Sequence, residues 1–286
     1  MGPIVDLHTG PLGEAAKYSE GYSTERLFPM PRVEGRSAVG LEHTPAWVGA
    51  DVWTGYEFSW LNTRGKPQVA VLRITVDAAS THIVESKSMK LYLNGYAQTR
   101  FDHTDEVRVR LTSDLSVAFG AQVQVALLAL DDSQLEVAIP AGQSLDDVDI
   151  EISDYQRNPG LLALISGNVA MDSKPVSEAL TTQLFRSLCP VTSQPDWASL
   201  TVAYTGPAID HAGLLKYLVS YRQHQAFHET TIERIYADIW QRCQPQRLQV
   251  RGYFLRRGGL DISPMRSSEA GAGSADAAVT PRFARQ

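Results

Sequence analysis

The feature that most constrains this 286-residue chain is a faint internal repeat. Sliding the sequence against itself by 125 positions lays Tyr92 on Tyr217, Leu93 on Leu218, Tyr96 on Tyr221 and Gln98 on Gln223. An offset of 128 lays WLNTRGKPQ (60–68) over LCPVTSQPD (188–196) and joins the two prolines. In that register Cys189 faces Leu61 and Asp196 faces Gln68, so only the second copy carries a thiol and a carboxylate here. A period of this length means that one folding unit occurs twice.

The unit mixes strands and helices. QVAVLRITVD (68–77) alternates apolar and polar residues as a strand does, and 86–100 repeats Met89, Leu93 and Tyr96 at helical spacing. VRVRL (107–111) and QVQVALLAL (122–130) read as further strands. In the second copy SLTVAY (199–204) and LQVRGYFLRRGG (248–259) read as strands. Between them 211–225 and 228–243 read as helices, the latter with Ile232, Ile235, Ile239 and Cys243 on its apolar face. The pattern predicts an α+β fold of antiparallel strands with helices on one face. It divides into an extended Gly- and Pro-rich arm (1–45), a first unit (46–140), a second unit (141–266) and a low-complexity tail (267–286) that ends in RFARQ.

Lys plus Arg total 26 and Asp plus Glu 32, a net charge of −6 that gives no electrostatic reason to dock on nucleic acid or an anionic membrane. A small-molecule partner fits better. Two cysteines make neither a disulfide framework nor a zinc set, which points to a reducing compartment and a metal-free site. The sequence offers no signal-peptide pattern and no apolar run of membrane-spanning length, so the expectation is a cytoplasmic protein.

Three stretches carry candidate chemistry. Cys189 lies in SLCPVTSQPDW, where the following proline holds it extended, with Asp196 near enough in sequence to manage the proton a thiol must lose. The alternative is a small buried hydrophobe, which is the reading for Cys243. His228 and Glu229 open a helix, where a carboxylate either answers unpaired backbone N–H groups or clamps the ring N–H and exocyclic amine of a guanine-like base. Glu85 opens the first-unit helix with the same two alternatives. ESKSMK (85–90) and RRGGLD (256–261) offer lysines and arginines suited to phosphate, although a solvated helix start and a sheet-edge turn explain them equally. No Rossmann or Walker motif occurs.

Taken together, ESKSMKLYLN, CPVTSQPDW, YLVSYRQHQAFHE and YFLRRGGLDISP resemble the QueF family of NADPH-dependent 7-cyano-7-deazaguanine reductases, in its longer, bimodular branch. The resemblance implies two tandem tunnelling-fold modules, each a four-stranded antiparallel sheet with two helices, whose sheets form a barrel in a homodimer. It implies reduction of a deazapurine nitrile to an aminomethyl group by two NADPH, in queuosine biosynthesis for transfer RNA. Cys189 is then the nucleophile that forms a covalent thioimide, and Asp196 the proton donor. Val84, Glu85, Ser86, His228 and Glu229 are implied to bind substrate, and Ser86, Lys87, Arg257 and Gly258 to bind NADPH. Two other readings remain. One is a purine or pterin hydrolase related to GTP cyclohydrolase, which would need a zinc-binding Cys/His set. The other is a non-catalytic purine-binding module.

Overall fold

A computed structural model describes residues 21–41, 47–166, 174–269 and 281–286. The arm contributes β1 (Pro29–Pro31) and α1 (Arg32–Ala38). The first half then runs β2 (Val48–Leu61), β3 (Pro67–Asp77), β4 (His82–Val84), α2 (Ser86–Asn94), α3 (Thr104–Phe119) and β5 (Val123–Leu128). Short strands β6 (Val137–Ala138) and β7 (Gln143–Ser144) lead to the second half, which comprises β8 (Val176–Leu188), β9 (Pro195–Gly206), α4 (His211–Val219), α5 (His228–Cys243), β10 (Arg247–Phe254) and β11 (Leu260–Ser267). A last strand, β12 (Arg282–Phe283), lies near the C-terminus.

Eight strands form one sheet in the order β5-β3-β2-β11-β10-β9-β8-β7. The halves join where β11 pairs antiparallel with β2, from Leu260 opposite Gly55 to Ser267 opposite Val48. Alternation along the strands sends one set of side chains to the helices. Leu72, Ile74 and Val76 pack with Tyr92, Val107 and Leu111 in the first half, and Leu200, Val202 and Val250 with Leu214, Ile232 and Ile235 in the second.

The repeat is visible in detail. Both long hairpins break register at the same point, between Gly55 and Phe58 and between Thr182 and Phe185. In each half two tyrosines one helical turn apart share a hydrogen bond of 2.8 Å, Tyr92 with Tyr96 and Tyr217 with Tyr221. Each pair reaches the second helix through an aspartate: Tyr92 donates to Asp114 at 2.8 Å and Tyr217 to Asp238 at 2.6 Å. Leu61 pairs with Pro67 and Leu188 with Pro195, so the second hairpin loop is the longer by one residue. Cys189 therefore opens its loop at the position of Asn62 rather than Leu61.

Three expectations change. VRVRL lies within α3, where Val107, Leu111 and Leu115 are buried at spacings of four while Val109 is exposed. An alternating five-residue run also satisfies one helical face, and only the following residues decide. Four strands come from the second half but three from the first. After β5 the chain leaves this edge, pairs β6 with β12, and adds β7 in parallel beside β8 at Leu180 and Thr181. The arm is also not merely extended. Arg32 and Arg36 of α1 enter a buried ion network, and β1 pairs with β4. The low-complexity run at 270–280 lies outside the described residues, whereas Phe283 near the C-terminus is buried against Tyr253.

In that network Arg266 of β11 donates to Asp51 of β2 at 2.8 Å and to Glu233 of α5 at 2.8 Å. Arg32 donates to Asp51 at 2.6 Å, and Arg36 to Glu233 at 2.8 and 2.9 Å. Glu233→Gln removes the anion that faces all three guanidinium groups. It should cost about 3–5 kcal/mol in urea unfolding, whereas Arg108→Ala, which breaks an exposed pair, should cost under about 1 kcal/mol. Equal midpoints for the two variants would show that the network contributes nothing.

Candidate active site

The β8–β9 loop places the thiol. Cys189 N–H donates to Gln194 O at 2.9 Å and Ser193 N–H to Cys189 O at 3.0 Å, continuing the ladder one step into the loop. Ser193 takes a left-handed backbone, φ 55°, and its hydroxyl accepts from Gln225 at 2.9 Å. Cys189 is partly exposed, whereas burial pushes the Cys243 thiol up to about 11. Of the two thiols, Cys189 is the one with an open face.

Asp196 follows on β9, 3% exposed, with Ser187 of β8 opposite it. Its Oδ1 lies 3.0 Å from Arg257 Nη2 and 3.3 Å from His228 Nε2. The His228 ring stacks on Phe254, with centroids 4.0 Å apart and planes 9° apart, which fixes its direction. Arg257 also donates to Gln194 Oε1 at 3.3 Å and to Pro195 O, so it braces the loop from below. Its own turn is tight: Arg257 and Leu260 exchange backbone hydrogen bonds of 3.0 and 3.3 Å around Gly258 and Gly259, both at positive φ. Glycine pairs suit such two-residue hairpin turns. A Cβ on Gly258 would also come 3.3 Å from Lys90 Cδ.

Glu229 is 3% exposed in the first turn of α5. Burial, aided by the Asp51 charge, pushes its carboxyl up to about 6, with His228 and Arg32 pulling the other way.

The first half meets this centre through α2. Glu85 is the N-cap of that helix and accepts from Lys87 N–H at 2.7 Å and Ser88 N–H at 2.8 Å. The helix-cap alternative thus describes its contacts, and the Ser86 hydroxyl lies 3.5 Å from the same carboxylate. Val84 is buried in β4, opposite Pro29 of the arm, and Glu85 N–H donates to Phe28 O at 3.0 Å. The arm therefore sets where α2 begins.

One turn further on, Lys90 is a residue that sequence reading noted only as part of a basic motif. Burial holds its ammonium below the ordinary lysine range against the pull of Glu85, while Arg257 lowers it and Cys189 and Asp196 raise it. Lys90 therefore lies where the two halves converge. The sequence signal was its spacing from Glu85, which places it above the capped turn. A cleft of about 150 Å³ between α2 and the β10–β11 turn is lined by Lys90, Asn94, Glu57 and Gly258. Among the described residues no three His, Cys, Asp or Glu side chains are grouped to hold a metal, and no helix is long and apolar enough to cross a membrane.

This geometry coincides with sequence kinship. Residues 18–127 match the family model described as nitrile reductase, 7-cyano-7-deazaguanine-reductase N-term, and residues 195–272 match that described as QueF-like protein. Over 259 residues the chain is 48% identical to the NADPH-dependent 7-cyano-7-deazaguanine reductases of Burkholderia orbicola and Burkholderia multivorans, covering 90% of this chain and 93% of each relative. The chain belongs to the QueF nitrile reductase family. A solved apo structure of the archaeosine synthase QueF-Like, 18% identical, overlaps 35% of this chain and 97% of its own at a TM-score of 0.30, too partial to bear on the fold. The two QueF family models cover Glu85 and Asp196 respectively.

Glu229 yields a test independent of any ligand. Its carboxyl binds a proton more tightly in the folded chain, near 6, than at its ordinary 4.5, so the folded state holds more protons between those values. Stability then falls as pH rises through that window. Relative to Glu229→Gln, the wild type should lose on the order of 2 kcal/mol from about pH 4.5 to just above 6. Urea unfolding across that range checks it; parallel pH curves for the two proteins would contradict the burial argument.

Proposed function

We propose that this chain is an NADPH-dependent 7-cyano-7-deazaguanine reductase, which converts the nitrile to an aminomethyl group in the queuosine pathway of transfer RNA modification. The observation that carries the reading is the placement of Cys189 and Asp196 at one hairpin end, with His228 and Arg257 on the acid, in a chain 48% identical to reductases of that name. We further read the repeat as two tunnelling-fold modules, 46–140 and 141–266, flanked by the arm and the tail, and the sheet as half of a barrel closed by a second copy. The matching hairpin bulges and tyrosine pairs support the modules. A metal-dependent hydrolase finds no support in the cysteine inventory, since one of the two thiols is locked in the α5 core.

The chemistry explains the residues. The Cys189 thiol gives up its proton through Asp196 as the sulfur adds to the nitrile carbon, one C–N π bond opens, and Asp196 passes a proton to the nitrogen, leaving a thioimide. On this reading His228, 3.3 Å from the acid, returns a proton to it, and Arg257, 3.0 Å away, holds the acid in line. A thioimide protonated at nitrogen is a far better hydride acceptor than a nitrile, and the covalent link fixes the carbon in place. The carboxylate of Glu229 accepts from the ring N–H and exocyclic amine of the base, and its burial makes that pairing selective. Val84, Glu85 and Ser86 form the wall on the first-module side. NADPH supplies a hydride twice per product. Ser86, Lys87 and Gly258 suit it, because the capped start of α2 and the side-chain-free Gly258 beside Lys90 leave room for phosphate between two cations.

Mixing the protein with 7-cyano-7-deazaguanine should produce a new near-UV thioimide band that Cys189→Ala lacks, and product formation should consume two NADPH. A folded wild type without band or turnover would sink the reading. Asp196→Asn should bind the base yet reduce it at least about 100-fold more slowly, because the nitrogen then lacks its proton source. Turnover at the wild-type rate would remove Asp196 from the mechanism.

A further inference from the structure

Ser187 lies on β8, two residues before Cys189, and is directly opposite Asp196 on β9. It is fully buried, and its Oγ has no hydrogen-bond partner among the described residues. Strand alternation fixes its direction. Phe185, Ser187 and, through the continued ladder, Cys189 share one face of β8, and Asp196 and Ala198 share the same face of β9. Phe185 and Ala198 are in the helix-side core, so Ser187 points the same way, beside Asp196 and on the face that Cys189 continues.

A buried hydroxyl without a partner is costly, because its desolvation is not repaid by a hydrogen bond. Alanine has the same backbone requirements and would fill this position in the hairpin without that cost. The nearest polar neighbours do not relieve it. Asp196 Oδ1 is engaged by Arg257 and His228, neither oxygen of that carboxylate bonds the Ser187 hydroxyl, and the backbone groups of the hairpin are used in the ladder. The group that would satisfy Ser187 is therefore one that enters between sulfur and carboxylate. On the proposed reaction, which this inference rests on, that is where the nitrile nitrogen must lie: bonded to the carbon that Cys189 attacks and within reach of the Asp196 proton.

We infer that Ser187 is a further substrate-contacting residue, whose hydroxyl donates a hydrogen bond to the nitrile nitrogen. The donor polarises the C≡N bond while sulfur adds. Once Asp196 has delivered its proton, the same hydroxyl turns and accepts from the new N–H. A hydroxyl suits both steps because it carries one donor and two acceptor lone pairs on a freely rotating bond. It also fixes the direction of the nitrogen, so that hydride reaches a carbon held by sulfur on one side and Ser187 on the other.

The test is Ser187→Ala in the full-length protein. Removal of an unsatisfied hydroxyl should leave the thermal midpoint unchanged or slightly higher, which a structural serine would not allow. The base should bind no more than about tenfold more weakly, since Glu229 and His228, which hold the ring, are intact. Thioimide formation and kcat with 7-cyano-7-deazaguanine should fall by about tenfold or more, as expected for one lost hydrogen bond to a reacting atom. Ser187→Thr, which keeps the hydroxyl, should recover part of the rate. Wild-type kcat in Ser187→Ala would overturn the inference, as would a loss of rate that tracks a loss of stability. Absence of turnover in the wild type would instead remove the reductase reading itself, so the two failures are distinguishable.

Discussion

Arg266 is the residue on which the rest of the structure hangs. It is fully buried on β11, the strand that joins the halves, and it reaches Asp51 on β2 and Glu233 on α5 at once. Arg32 and Arg36 bring the arm to the same two carboxylates. Buried charges are tolerated only when closely paired, so this cluster fixes the relative positions of two strands, one helix and the arm with little slack. Glu229 lies one helical turn before Glu233 on the same buried side of α5. The network reaches Glu229 with both signs: Asp51 adds to the burial that pushes its carboxyl up, while Arg32 pulls the other way. The interaction that docks the halves thus also bears on the group proposed to hold the base, with burial the larger effect.

The two halves have diverged on a common plan. Each keeps the bulged hairpin and the tyrosine–aspartate link between its helices, which fix how the first helix lies on the sheet. The second keeps a longer hairpin loop, and at its base Cys189 and Asp196 replace Asn62 and Gln68. The first keeps instead a helix capped by Glu85 and steadied by the arm strand. The proposed site needs a thiol and acid from one half and a helix start from the other, and Lys90, which feels charges from both and approaches Gly258, marks the seam.

What was legible in the sequence was periodic or local. The strand at 68–77, the loop that holds Cys189 and the helix opening at His228 follow from spacings within about twenty residues, where side-chain direction is set by the strand or helix period, and the repeat follows from matching such local patterns at an offset of 125. The VRVRL segment misled because its alternation is short enough to fit either period. The ion network was invisible for a different reason: Asp51 and Arg266, or Arg36 and Glu233, meet only through sheet order, and no local pattern distinguishes a charge that will be buried from one that will be solvated. Ser187 was passed over likewise. A serine in a strand is unremarkable until its neighbour across the ladder is known to be Asp196.

The helix cap at Glu85 shows how cost and use can coincide. Both carboxylate oxygens are spent on backbone N–H groups of α2, so the first turn is rigid and its charge is neutralised locally. The same acid also acts on Lys90 one turn on, whose ammonium it favours against the burial that holds it down. A rigid, net-positive helix start facing a glycine turn braced by Arg257 is a receptacle for phosphate. On the proposed reading the start of α2 thus serves two neighbours, the base that Val84, Glu85 and Ser86 border and the hydride source that Ser86 and Lys87 would hold, while the second half supplies the thiol and the acid.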